Sequence, residues 1–228
     1  MRQAPLPAGA VVLAYVAAQI GGAAVAATLA GLVGRGSAAS ATDLGVQVSY
    51  GVSSLALLAA AVAALRLARV PRASWPGTAW PGGRWVWGGV AAGILLKFAG
   101  DGLAALEQAI TGPVRANNPL VLYPHLFARP LSFAALVFAV VVIAPAAEEF
   151  FFRGLVYGWL RGRLGPWPSS LIAGLLFAAA HADWTLVPPL WLLGVGLCWL
   201  YERSGSLWPS AAAHAALNGL AVVLTIVS

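Results

Sequence analysis

The residues best suited to chemistry lie in the run Ala-Pro-Ala-Ala-Glu148-Glu149-Phe-Phe-Phe-Arg153. Two adjacent carboxylates and a guanidinium interrupt an apolar segment that carries no charge from Leu131 to Ala147. An ionised side chain near a bilayer centre costs roughly 2.5–3.5 kcal/mol on the lenient insertion scale, so such groups face a wet cavity and mark functional sites. Glu149 and Arg153 are four apart and share a helix face, which lets them pair. Glu148 is rotated about 100° from Glu149 and has no partner on its own helix. This division predicts one structural glutamate and one free to act. The competing reading is a salt-bridge cluster that only fixes helix packing. Pro145 has no N–H and clashes with the carbonyl of Val141, so a kink or local opening is expected just before Glu148.

Two more pairs repeat the four-residue spacing. In Phe177-Ala-Ala-Ala-His181 an aromatic can wall an imidazole, and in His214-Ala-Ala-Leu-Asn218 two hydrogen-bond donors share a face. Each pair alone is ordinary interhelical glue. Together the two glutamates, two histidines, arginine and asparagine admit two chemistries. One is attack on a carbonyl by activated water, with His and Asn donors holding the oxyanion. The other is a metal site with Glu and His ligands. The zinc-protease helix HExxH is absent.

The elements that must position these groups are membrane helices. The chain has 228 residues, is 61% hydrophobic and only 9% charged, and has a mean hydropathy of +0.85. That composition excludes an ordinary soluble domain and predicts an all-α, multi-pass transmembrane bundle forming one domain over 1–228. Apolar runs at about 8–33, 46–67, 85–106, 131–160, 169–182, 186–202 and 207–228 predict about seven helices. The first run is too long for a signal-peptide core and is read as a retained helix. The runs at 169–182 and 186–202 are short, and a Pro/Gly-rich interruption spans about Glu107 to Arg129.

The net charge is +6, and 13 basic residues stand against seven acidic ones. The arginines are scattered among loops, which suits topology signals and lipid-headgroup anchoring and excludes a nucleic-acid surface. With seven spans, Arg2, Arg66, Arg69, Arg72, Arg84, Arg161, Arg163 and Arg203 fall on one side and Arg35, Arg115 and Arg129 on the other. The positive-inside rule then puts the N-terminus in the cytoplasm of a cell-membrane protein. Trp75, Trp80, Trp85 and Trp87 read as interfacial anchors, and Gly89 and Gly93 as a close helix contact. Lys97 and Asp101 read as a self-neutralising pair, Asp183 as an interfacial residue, His125 as a loop residue and the single cysteine, Cys198, as packing.

The three motifs, in this order, resemble the CPBP family of intramembrane proteases, whose pattern is EExxxR, FxxxH and HxxxN or HxxxD. That family includes CAAX prenyl endopeptidases and bacteriocin-processing or self-immunity proteins. The resemblance covers about residues 131 to 220, which would be the catalytic core; the first 130 residues carry none of it. It implies an intramembrane endopeptidase acting on a membrane-associated protein or peptide. By that resemblance Glu148 and His181 would activate the water, and His214 and Asn218 would form the oxyanion hole. Glu149 and Arg153 would orient the site, Phe177 would line it, and no catalytic metal or other cofactor is expected. A non-catalytic immunity or scaffold protein of the same fold, or a proton-coupled transporter, are the alternatives. The transporter would be expected to repeat its motif helix in both halves, and no such repeat is seen.

Overall fold

The structure is a computed structural model that describes residues 8–33, 38–72, 75–112 and 130–227, without the side chains of 8, 23, 26, 27 and 29–50. The described residues form seven helices and no strand. They are α1 (Ala8–Val33), α2 (Ala38–Leu67), α3 (Gly83–Thr111), α4 (Pro130–Leu164), α5 (Pro166–Ala179), α6 (Val187–Ser204) and α7 (Leu207–Val227). A 3₁₀ turn, Trp184–Leu186, leads into α6. The helices α3, α4, α6 with its leading turn, and α7 are long and apolar enough to cross a membrane. Helix α5 has 14 residues, about 21 Å, and falls short of the roughly 30 Å of hydrocarbon.

The bundle is ordered by pairs. Helix α1 packs on α2, α3 on α7, and α5 on α6. The α3–α7 contact is glycine-dependent: a Cβ at Gly89 or Gly93 would overlap the main chain of Pro209 or Ala213. That approach fixes α7 one residue before His214. The loop between α2 and α3 is tied to the α6–α7 turn: the Leu207 N–H donates to the Gly77 carbonyl at 2.7 Å, and the Ser206 hydroxyl to the Ala79 carbonyl at 2.7 Å. In this loop Trp75 is half-buried and donates to the Val70 carbonyl, while Trp80 is exposed and packs edge-on against Trp208.

Helix α4 runs through the middle. Every residue from Phe151 to Gly158 is buried, so the helix is enclosed on all sides there. It widens twice into a register of five residues per hydrogen bond, over Ala139–Ile143 and Glu149–Tyr157. The first widening is the local opening that Pro145 predicts, and such π segments recur at functional sites. Helix α3 continues through Glu107 to Thr111, past the start expected for the long interruption, because Ala, Leu, Glu and Gln there favour helix. The remainder of that interruption, with His125, Arg115 and Arg129, lies outside the described residues, as do Arg2 and Arg35.

Candidate active site

One cavity of about 400 Å³ gathers Glu148, His181, His214 and Asn218. Helix α4 supplies Val140, Ala144, Glu148 and Phe152, a stripe repeating every four residues. Helix α7 supplies His214 and Asn218, and His181 stands just past the last turn of α5. The i, i+4 spacings thus become two helix faces turned towards the same space. The Glu148 side chain is 21% exposed, while its Oε2 is itself enclosed and has no hydrogen-bond partner in the protein. The nearest cationic candidate is His214 Nε2 at 3.9 Å, beyond direct hydrogen-bond range.

Glu149, one residue on, lies outside that stripe and is fully buried. Its Oε1 accepts from Arg153 Nη1 at 2.8 Å and from His214 Nδ1 at 3.0 Å. Arg153 is held on two further sides. Its Nη2 donates to the Gly194 carbonyl of α6 at 3.2 Å, and its guanidinium carbon lies 4.6 Å from the centre of the Phe177 ring. The same ring meets both imidazoles edge-on, His181 at 4.9 Å and His214 at 5.7 Å between centroids. Phe177 is therefore the apolar hub on which arginine and both histidines rest.

The partners fix which ring nitrogens carry protons. His181 Nδ1 lies 2.9 Å from the Phe177 carbonyl, which can only accept, so Nδ1 is the N–H and Nε2 carries the lone pair of the neutral ring. His214 Nδ1 likewise donates to the Glu149 carboxylate, which leaves Nε2 for the side facing Glu148. Ala182, next to His181, has a φ of 53°, left-handed space that a residue with a Cβ enters at a cost of about 1–2 kcal/mol. Beyond it, Asp183 caps the 3₁₀ turn: its Oδ1 accepts from the Thr185 N–H at 3.0 Å and the Thr185 hydroxyl at 2.6 Å.

Asn218 has a tie that motif spacing does not reveal. In the π register the Ala144 N–H bonds the Ala139 carbonyl. The next donor in that register, Pro145, has no N–H, so the Val140 carbonyl is orphaned. Asn218 Nδ2 donates to it at 2.9 Å. One amide hydrogen of Asn218 is thereby spent on α4, and the second remains for the cavity.

Cys198 is buried among core side chains, and Lys97 and Asp101 pair at 2.6 Å on α3, away from this cavity. Among the described residues, no three His, Cys, Asp or Glu side chains are grouped as ligands of one metal ion. Two residues that no motif flagged also line the cavity, Tyr15 and Gln19 of α1. The available signal was polarity: α1 is apolar except for these two and Thr28.

Residues 130–220 match the family described as Type II CAAX prenyl endopeptidase Rce1-like. A Bacillus subtilis (strain 168) protein named "Putative membrane peptidase YdiL" is 23% identical over 146 residues, which is 60% of this chain and 58% of that relative's length. The chain thus spans less than two thirds of that relative. No solved structure matches it. The three motifs around the Glu148 cavity fall within the matched residues, and the two matches together support an assignment to the CPBP/CAAX protease family.

Proposed function

We propose that the chain is an intramembrane endopeptidase that hydrolyses a peptide bond in a membrane-associated protein or peptide. The observation that carries this reading is the split between neighbouring glutamates. Glu149 is fully buried and held through Oε1 by Arg153 and His214, while Glu148 is partly exposed and lines a cavity shared with both histidines and Asn218. A general base needs such a free carboxylate within reach of water.

In this reading Glu148, assisted by His181 Nε2, takes a proton from water. The resulting hydroxide bonds to the scissile carbonyl carbon, and the carbonyl oxygen becomes the oxyanion. His214 Nε2–H and the second Asn218 N–H stabilise that oxygen. The proton held by Glu148 passes to the amide nitrogen, the C–N bond breaks, and the carbonyl re-forms as a carboxylic acid. Donation from Nε2 requires an imidazolium, since Nδ1–H is already given to Glu149. Phe177 orients both rings.

The whole chain forms one membrane domain with its catalytic core over 131–220, its N-terminus is cytoplasmic, and lipid and the peptide substrate are its partners. The side assignment is checked by reporter fusions: a C-terminal alkaline phosphatase should be active and a C-terminal green fluorescent protein dark. The function is tested by comparing membrane proteomes of cells carrying wild type and Glu148→Gln. A protein that accumulates uncleaved only with Glu148→Gln is expected; identical proteomes, with no hydrolysis by the purified protein, would sink the reading.

A further inference from the structure

Helix α1 lies outside the matched residues, and its composition is severe: in 26 residues only Tyr15, Gln19 and Thr28 carry side-chain polar groups. A polar side chain facing hydrocarbon costs free energy unless it is bonded or wet. Thr28 solves this locally, its hydroxyl donating to the Ala24 carbonyl of its own helix at 2.8 Å. Tyr15 and Gln19 do not. They are four apart, on one face, and both line the cavity of Glu148. Helix α2 adds Ser53 and Ser54 to the same wall. The side chains of α1 that cannot satisfy themselves therefore stand across the cavity from the motif residues of α4 and α7.

Their surroundings differ in a useful way. The Tyr15 ring is half-buried and rests 5.8 Å from the Phe151 ring, and it lines the same cavity as the Glu148 carboxylate. Gln19 is exposed, with no hydrogen-bond partner among the described residues. An extended peptide entering this space brings one N–H and one C=O per residue, and inside a membrane each must be paired. A carboxamide carries a donor and an acceptor on one group, the complement of a peptide edge.

We propose that α1 is the substrate-binding wall of the cavity, with Gln19 hydrogen-bonding the main chain of an extended peptide and Tyr15 setting how the scissile carbonyl meets Glu148. The proposal rests on the peptidase reading for the reaction but not for the binding. Both are positioning residues.

The test uses the full-length protein in detergent and fluorescein-labelled β-casein, an unfolded chain that presents its main chain. Binding is read by anisotropy in the Glu148→Gln background, and hydrolysis in the active protein. Gln19→Ala should weaken Kd and raise KM at least fivefold, with little change in kcat. Tyr15→Phe should keep Kd within twofold and lower kcat at least tenfold. Thr28→Ala, on the same helix, should change neither. If Gln19→Ala lowers the melting temperature, the near-isosteric Gln19→Glu, which loses the donor, takes its place and should weaken Kd as much. Kd and KM within twofold of wild type in the Gln19 variant would overturn the wall, even where Glu148→Gln abolishes cleavage and so upholds the peptidase. Gln19-dependent binding without hydrolysis would uphold the wall and remove the peptidase. No saturable casein binding would overturn the wall outright.

Discussion

Two helices of this molecule carry an opposite-charge pair at the same four-residue spacing, and the two pairs do different things. On α3, Lys97 and Asp101 bond only each other among the described residues, with side chains 16% and 51% exposed. On α4, Glu149 and Arg153 are each 1% exposed and are joined to α5, α6 and α7 through Phe177, Gly194 and His214. The first pair hides two charges at a helix surface. The second uses two charges to aim an imidazole. Spacing makes a pair possible; the third partner, contributed by another helix, decides whether it builds a site.

The sharpest way to break that contrast is to take each pair apart. Arg153→Met leaves Glu149 buried without its guanidinium partner and should cost about 3–5 kcal/mol, read from denaturant unfolding in detergent. A loss under about 1 kcal/mol would put the α4 pair in the same class as that on α3. Next in size is the contact that seats α7. Gly93→Leu drives a side chain into the Ala213 main chain and should cost about 1–3 kcal/mol and lower hydrolysis, since His214 must shift. Smaller is the α3 pair itself: Lys97→Met with Asp101→Leu should change stability by about 1 kcal/mol or less and leave hydrolysis intact. The smallest effect concerns the turn that carries His181. Ala182→Gly removes a Cβ from left-handed backbone and should raise stability by about 0.5 kcal/mol, because relief of strain is partly offset by unfolded-state entropy. A fall in stability there would contradict the strain at that residue.

Much of the architecture was legible because apolar length and motif spacing are local properties. The seven apolar runs became seven helices, and the 100° between Glu148 and Glu149 became a cavity face and a buried face. What stayed hidden needed a second element. Asn218 bonds Val140 only because α4 slips into a π register that leaves Pro145 opposite that carbonyl, whereas an ideal α-helix points to Val141. The reach of Arg153 to the Gly194 carbonyl depends on how α6 packs. Tyr15 and Gln19 belong to no motif. Their signal was an energetic one, two unsatisfied polar groups on one face of an apolar helix, and its meaning required the position of α4.

In the proposed reaction the two neighbouring glutamates divide the work, Glu148 as base and Glu149 as support. That division is tested most directly by measuring hydrolysis and folding together for Glu148→Gln and Glu149→Gln. Glu148→Gln should melt with the wild type and cleave at least about a thousandfold more slowly, a loss of roughly 4 kcal/mol in transition-state stabilisation. Glu149→Gln should unfold more easily and lose activity through misplacement of His214. Full activity in Glu148→Gln, with activity abolished in a well-folded Glu149→Gln, would make Glu149 the base and Glu148 the support.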